Sequence, residues 1–384
     1  MTQTLPDPSR SYRWDPYLLH SGEGFGAFWS DYLKSTARDL LMISGAGFDP
    51  RTCNGVKRVL ECGGAGRRDS LLLRFDGGQE NPSADQVDLT ARNVEVLQSM
   101  MKRAEGHVVE RVVRSWTGED LYHRRITSKS AAAAIQTPDE IMHYNAIIAD
   151  ISAMPRAVYF PIVARILSLL DKAFDPASPQ NTPRFYVMVS EDPTMDQRIR
   201  SLDIDEDAGY IHGFGAAIDA ESTSGTPKVW MPLLGEGHDM QLKRVWQLVN
   251  PSEICPVLPS PSRDPRRADN ILAEYRELLF DRWRVEPKNI LFGSEQNPFD
   301  VYRQLVRSSR QYSTALTPIG GCKVVFSAHS SKLTSLGALL AAYQLRQDGL
   351  TVGLAHVEPK SYDFRQGGLQ AEPASSDLVS MRLA

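Results

Sequence analysis

Ser44, Gly45, Gly47, Asp49 and Arg51 share one short turn directly after the apolar run Leu40-Leu41-Met42-Ile43. Glycine lets backbone approach a ligand closely, and a guanidinium pairs bidentately with phosphate or carboxylate. A carboxylate accepts from a ribose or base, so the turn suits a nucleotide-type ligand. It reads equally as a tight connection in which Asp49 caps the next helix and pairs with Arg51. The third glycine of a G-x-G-x-x-G fingerprint is missing. A second segment, Asp150-Ile151-Ser152-Ala153-Met154-Pro155-Arg156, sets an acid and a hydroxyl before a helix opening with Pro-Arg. The first amides of that helix add anion affinity. The alternative is that Ser152 caps the helix and Asp150 simply ends a strand. The third segment runs from Ser327 through His329 and Ser330 to Lys332 and packs hydroxyls, an imidazole and an ammonium into one turn. That mixture suits phosphate, or else a solvated loop with a capping serine. Ser327 and His329 stand two residues apart without a G-x-S-x-G elbow, so no catalytic residue is assigned. Glu358 is kept as a ligand candidate because it follows the last strand of the second half.

Other segments are read structurally. Asp76, Glu191, Asp192, Glu236 and Glu295 are expected as wet charges at strand ends. The acidic run Asp203-Ile204-Asp205-Glu206-Asp207 lacks the glycine of a calcium loop, because Ala208 stands there. Gly63–Ser70 is expected as a flexible loop with Arg67 and Arg68 solvated or facing phosphate. Cys53, Cys62, Cys255 and Cys322 have no CxxC spacing, so no metal is expected and reduced thiols fit a cytoplasmic protein.

Apolar runs alternate with amphipathic stretches in both halves, and this alternation must position the turns. Strands are expected near 39–43, 71–75, 108–115, 146–151 and 185–189, then near 229–234, 254–258, 289–292, 322–326 and 351–357. Helices are expected near 24–38, 53–61, 87–101 and 155–170, then at 267–283, 298–311 and 333–345. Both halves open with a strand ending Gly-x-Gly (Gly45-Ala46-Gly47 and Gly235-Glu236-Gly237). The expected fold class is α/β, two Rossmann-like units with mainly parallel sheets flanked by helices. Residues 1–218 form the first unit with its leading helix, 219–228 a connector, 229–365 the second unit, and 366–384 a flexible tail.

At 384 residues the chain exceeds one ordinary core. Its 43 basic and 47 acidic residues give a net charge of -4, with no excess arguing for general nucleic-acid binding. No apolar run reaches the roughly 20 residues that span a bilayer. Met1–Arg10 is polar, unlike a secretion signal.

Two of the segments resemble the ligand loops of CRISPR-associated Rossmann-fold (CARF) sensor domains and their relatives. Asp150–Arg156 is similar to the strand end with an acid, a hydroxyl residue and a proline-containing helix, with Ala153-Met154 in place of the usual His-Gly. Ser330-Ser331-Lys332, leading into Ser335–Ala342, resembles the Gly-Gly-Thr-Lys-like turn before a small-residue helix. The resemblance implies a nucleotide or cyclic-oligonucleotide pocket and a setting in prokaryotic antiviral defence. Three function classes follow. The first is recognition of a small nucleotide ligand; the second is a nucleotide-, NAD- or SAM-dependent hydrolase or transferase on the same fold. The third is a non-catalytic assembly subunit with a protein partner or a homo-oligomeric state, its surfaces at Phe25–Tyr32 and Trp283–Phe292.

Overall fold

The computed structural model describes residues 12–77, 82–117, 124–192, 199–220, 225–364 and 377–384. The polar leader 1–11 and residues 366–376 of the expected tail lie outside them. Two compact units emerge, each discontinuous in sequence. The first holds Pro16–Asp203 with Lys360–Ala384; the second holds Ile204–Pro359 with the described residues of Met1–Asp15. The chain thus changes unit near 15, 203 and 359, whereas the sequence reading placed a continuous division at 219–228.

The first unit runs β1 (Leu18–Ser21), α1 (Glu23–Ser35), β2 (Leu40–Ala46), α2 (Asn54–Glu61), β3 (Arg68–Asp76), α3 (Ala84–Arg103) and β4 (Val108–Arg114). Then come α4 (Thr127–Ala132), α5 (Asp139–Met142), β5 (Ala146–Asp150), α6 (Arg156–Ala173) and β6 (Arg184–Glu191). A two-stranded ribbon pairs β7 (Ile199–Ile204) with β15 (Pro359–Phe364) where the chain crosses between units. In the main sheet β6-β5-β2-β3-β4 are parallel neighbours, which in chain order is the doubly wound arrangement 3-2-1-4-5. β16 (Asp377–Arg382), expected within a flexible tail, pairs antiparallel with β6 and carries β1 on its other side. Every residue of β2 is buried, because a parallel strand covered by helices on both faces has no polar side. Leu40 and Met42 face a core built from α1, α2 and α3, where Phe25, Trp29, Tyr32 and Leu33 are buried. The aromatic face of Phe25–Tyr32 is therefore core, which removes it as the contact surface of the assembly reading.

The second unit runs β8 (Gly209–Tyr210), β9 (Lys228–Leu233), α7 (Asp239–Val249), β10 (Glu253–Ile254), β11 (Val257–Pro259) and α8 (Arg267–Glu274). β12 (Leu291–Gly293), α9 (Pro298–Ala315), β13 (Lys323–Ala328), α10 (Lys332–Gln347) and β14 (Val352–His356) complete it. Its parallel neighbours β12-β11-β9-β13-β14 repeat the order 3-2-1-4-5, with β8 antiparallel beyond β14. The helix expected over 267–283 divides into α8 and a π-helical turn, Glu277–Arg282. Arg13 belongs here: its backbone N–H donates to Tyr302 Oη at 2.8 Å, and Trp14 packs edge-on against the same ring. Both units are α/β and Rossmann-like, with mainly parallel sheets flanked by helices. Among the described residues no helix is long and apolar enough to cross a membrane.

Candidate functional site

In each unit the strand order reverses beside its first parallel strand, at β2/β5 and at β9/β13. Open sheets of this kind take ligands outside the carboxyl ends of the strands at that reversal. Every candidate turn except that of Glu358 lies there.

In the first unit Ser44 and Asp150 are register partners at the tips of β2 and β5. Ser44 is buried and its hydroxyl has no hydrogen-bond partner. Asp150 Oδ1 accepts from Ser152 N at 3.0 Å and from Ser152 Oγ at 2.5 Å. Ser152 Oγ in turn accepts from Ser190 N at 2.8 Å, so β5 and β6 are tied at their ends. Helix α2 lies over the carboxylate, since a Cβ on Gly55 would come within 2.4 Å of Asp150 Oδ2. The Cys53 thiol is pushed up to about 12 by burial and by the Asp150 charge, so it stays protonated.

Asp49 and Arg51 are spent on each other. Asp49 Oδ1 caps the 3-10 turn Pro50–Cys53 by accepting from Arg51 N at 2.9 Å, and Arg51 Nη2 meets Oδ2 at 2.8 Å. Both side chains are buried. Asn93 Nδ2 holds the turn from α3 by donating to the carbonyls of Gly47 and Asp49, at 2.8 and 3.0 Å. The turn after β2 lies on the turn after β5: a Cβ at Gly45 would stand 3.1 Å from Met154 Cγ, and one at Gly47 would stand 3.3 Å from Ala153 O. Arg156, half-buried, opens α6 behind Pro155, which supplies no side-chain cap. Pro155 O accepts from Val158 N at 2.9 Å and from Tyr159 N at 3.1 Å, so Arg156 and Ala157 carry the amides that lie ahead of these first helical bonds.

In the second unit Ser327 Oγ accepts from Trp230 Nε1 at 2.9 Å and lies 3.0 Å from His329 Nε2. The Ser–His distance suits proton transfer, yet Ser327 is 0% exposed, so no substrate reaches that hydroxyl. Ser331 caps α10 by accepting from Thr334 N at 3.2 Å, and Lys332 follows, half-buried. A Cβ on Gly235 would come within 2.3 Å of His329 O, so this pair of turns also packs backbone on backbone. The turn after β9 is latched by α8 and its neighbour. Tyr275 Oη donates to Gly235 O and accepts from His238 N, and Glu274 accepts from Gly237 N, each at 2.8 Å. Arg267 grips Glu236 through two bonds of 2.9 Å and also meets Glu295. Burial pushes the Glu236 carboxyl up, but the bonds and charge of the Arg267 guanidinium, a backbone N–H and the nearby His238 together outweigh it and leave the group below its ordinary value.

The structure thus gathers Ser44, Gly45, Gly47, Asp150, Ser152 and Arg156 in one place, and Ser327, His329, Ser330 and Lys332 in another. Glu358 stands apart after β14, where its carbonyl accepts from Asp205 N at 2.9 Å. Glu295 and Asp192 are not wet loop charges: the Glu295 side chain is 13% exposed and Asp192 is buried. Arg68 is neither solvated nor facing phosphate; it is buried, with its guanidinium on the carbonyls of Arg38, Gly63, Ala65 and Arg67. Asn93, Ser190, Tyr275 and Arg267 escaped the sequence reading because each acts on a turn distant in sequence.

No family model and no curated protein matches the chain. Among solved structures it is similar to a universal stress protein from Archaeoglobus fulgidus DSM 4304, at 10% identity and a TM-score of 0.24, over 84% of this chain and 97% of that one. It is also similar to a functionally unknown protein from Pseudomonas aeruginosa PAO1, at 10% identity and a TM-score of 0.20, over 86% and 95% of the two chains. Likenesses this distant assign no activity; the fold rests on the strand orders.

Proposed function

We propose that the chain recognises a nucleotide-type ligand at the carboxyl ends of its parallel strands and acts by binding it. The opening of α6 carries this reading. This 18-residue helix starts at the β2/β5 reversal with Arg156, without a side-chain cap, beside the glycine turn of β2. A phosphate there meets backbone amides, the positive end of the helix and a guanidinium together. In the second unit Lys332 takes the equivalent place at the start of α10. The finer form of the proposal is a CARF-like sensor in prokaryotic antiviral defence. Its support is that both resembling segments, Asp150–Arg156 and Ser330–Lys332, follow the fourth strand of a parallel core.

Calorimetric titration with ATP, NAD and a cyclic oligoadenylate tests it. Saturable binding is expected, weakened about tenfold or more by Arg156→Ala and by Lys332→Ala as a charge-assisted phosphate contact is lost. The melting temperature of either variant should stay within a few degrees of the parent. Equal affinity in both variants sinks the site, and consumption of the ligand in the cell overturns the binding-only reading.

A further inference from the structure

Residues 12–15 pack on the second unit, although the chain enters the first unit at Pro16. Their covalent path to the surface they cover runs through residues 16–203, all in the other unit. No short loop holds them in place; side-chain chemistry does.

That surface is the seam of α9 and α10. Tyr302 on α9 is buried, and its Oη donates to Gln344 Oε1 on α10. Burial pushes the phenol up to about 12, so it keeps this hydrogen. The two oxygens converge on one backbone donor: Arg13 N reaches Tyr302 Oη at 2.8 Å and Gln344 Oε1 at 3.2 Å. The rings of Tyr12 and Trp14 stand edge-on to the Tyr302 ring, with centroids 6.0 and 5.2 Å away. The Arg13 guanidinium lies 5.5 Å over the Tyr343 ring, and its Nη1 donates to Gln347 Oε1 at 3.2 Å. Asp15 ends the row on Arg303 Nη2 at 2.9 Å. Tyr, Arg and Trp are the side chains that carry most of the energy of protein interfaces, and here they are consecutive. Backbone, rings and charge are each met by a different group of the seam.

The same residues of another chain can make every one of these contacts. What favours the chain's own copy is the effective concentration that the tether provides. We propose that the seam of α9 and α10 is a docking site for residues 12–15 of a second copy of this chain, so that two chains associate by exchanging these segments. The interface is isologous, with two identical seats.

A charge-reversal pair in the full chain tests this. Asp15→Arg and Arg303→Asp each set like charges together within one chain. Their side chains are 47% and 32% exposed, so the melting temperature should hold in both variants. In a mixture of the two, exchange restores opposite charges at both seats. Sedimentation equilibrium should show a mixed dimer about tenfold tighter than the self-association of either variant. Trp14→Ala in both members should abolish that dimer, because the segment loses the ring that packs on Tyr302. A mixture that associates no more tightly than its components overturns the proposal. So does a mixed dimer that survives Trp14→Ala.

Discussion

Asp49 and Arg51 show how a residue pair that suits ligand recognition can serve the fold instead. Their side chains are 11% and 4% exposed, and every donor position of Arg51 facing Asp49 is used. Removing one charge of such a pair strands the other away from water, at a cost of about 3–5 kcal/mol. Asp49→Asn should therefore lower the unfolding free energy by about 3 kcal/mol, read by urea denaturation. A loss below about 0.5 kcal/mol would mean that Arg51 is solvated and available to phosphate. Gly55 makes a second test. Gly55→Ala drives a methyl to 2.4 Å from Asp150 Oδ2 and 2.6 Å from Met188 Cε, so overpacking should cost about 1–3 kcal/mol. A variant as stable as the parent would show that α2 does not press on the carboxylate.

At the scale of elements, β1 and α1 are joined by an unusual contact. The His20 ring stacks on Phe28 with centroids 4.1 Å apart and planes 9° from parallel. Burial holds the His20 pKa below its ordinary value, so the imidazole is neutral in the fold. The unfolded chain then binds a proton more readily than the folded one. The contribution of His20 is complete above the ordinary histidine value of about 6.5 and is lost as pH falls through it toward the folded value. The melting temperature of the parent should therefore drop more steeply between pH 7 and 5 than that of His20→Phe; parallel curves would remove His20 as the cause. β1 itself was not legible in the sequence, and the reason is physical. Its half-exposed Leu18–Ser21 lacks the continuous apolar run by which β2, β3 and β5 announce burial on both faces. β16 escaped for a related reason: Val379 and Met381 are too few to signal a strand, and what orders them is pairing with β6, almost two hundred residues upstream. The strand-tip turns were legible because small and charged residues follow apolar runs directly. The groups that latch them were not, since Asn93, Tyr275 and Arg267 reach their turns only through tertiary packing.

Over the whole molecule, two cores of identical strand order lie in one chain, and each ends in an antiparallel addition beyond its fifth parallel strand: β16 in the first, β8 in the second. Alternation of apolar and amphipathic stretches made the two cores legible, but the places where the chain changes unit were not, because no composition shift marks 15, 203 or 359. The discontinuity has a measurable consequence. Residues 204–359 contain all of the second sheet from β8 to β14 and lack the contacts of residues 12–15, among them Arg13 and Trp14 on Tyr302, Arg13 N on Gln344 and the Asp15–Arg303 ion pair. Residues 16–203 lack β16, so β1 and β6 lose the strand between them, along with the buried side chains of Val379 and Met381. Burying two such side chains contributes about 3–6 kcal/mol, a large share of the 5–15 kcal/mol typical of a whole domain. A fragment spanning 204–359 should therefore fold alone, with dispersed amide resonances and a cooperative thermal transition. The fragment 16–203 should be molten or aggregated by the same measurements, and a synthetic peptide covering 377–384 should restore cooperative unfolding by reinserting β16. If 16–203 melts cooperatively at the temperature of the intact chain, β16 is an ornament on the sheet edge and the first unit ends at β6.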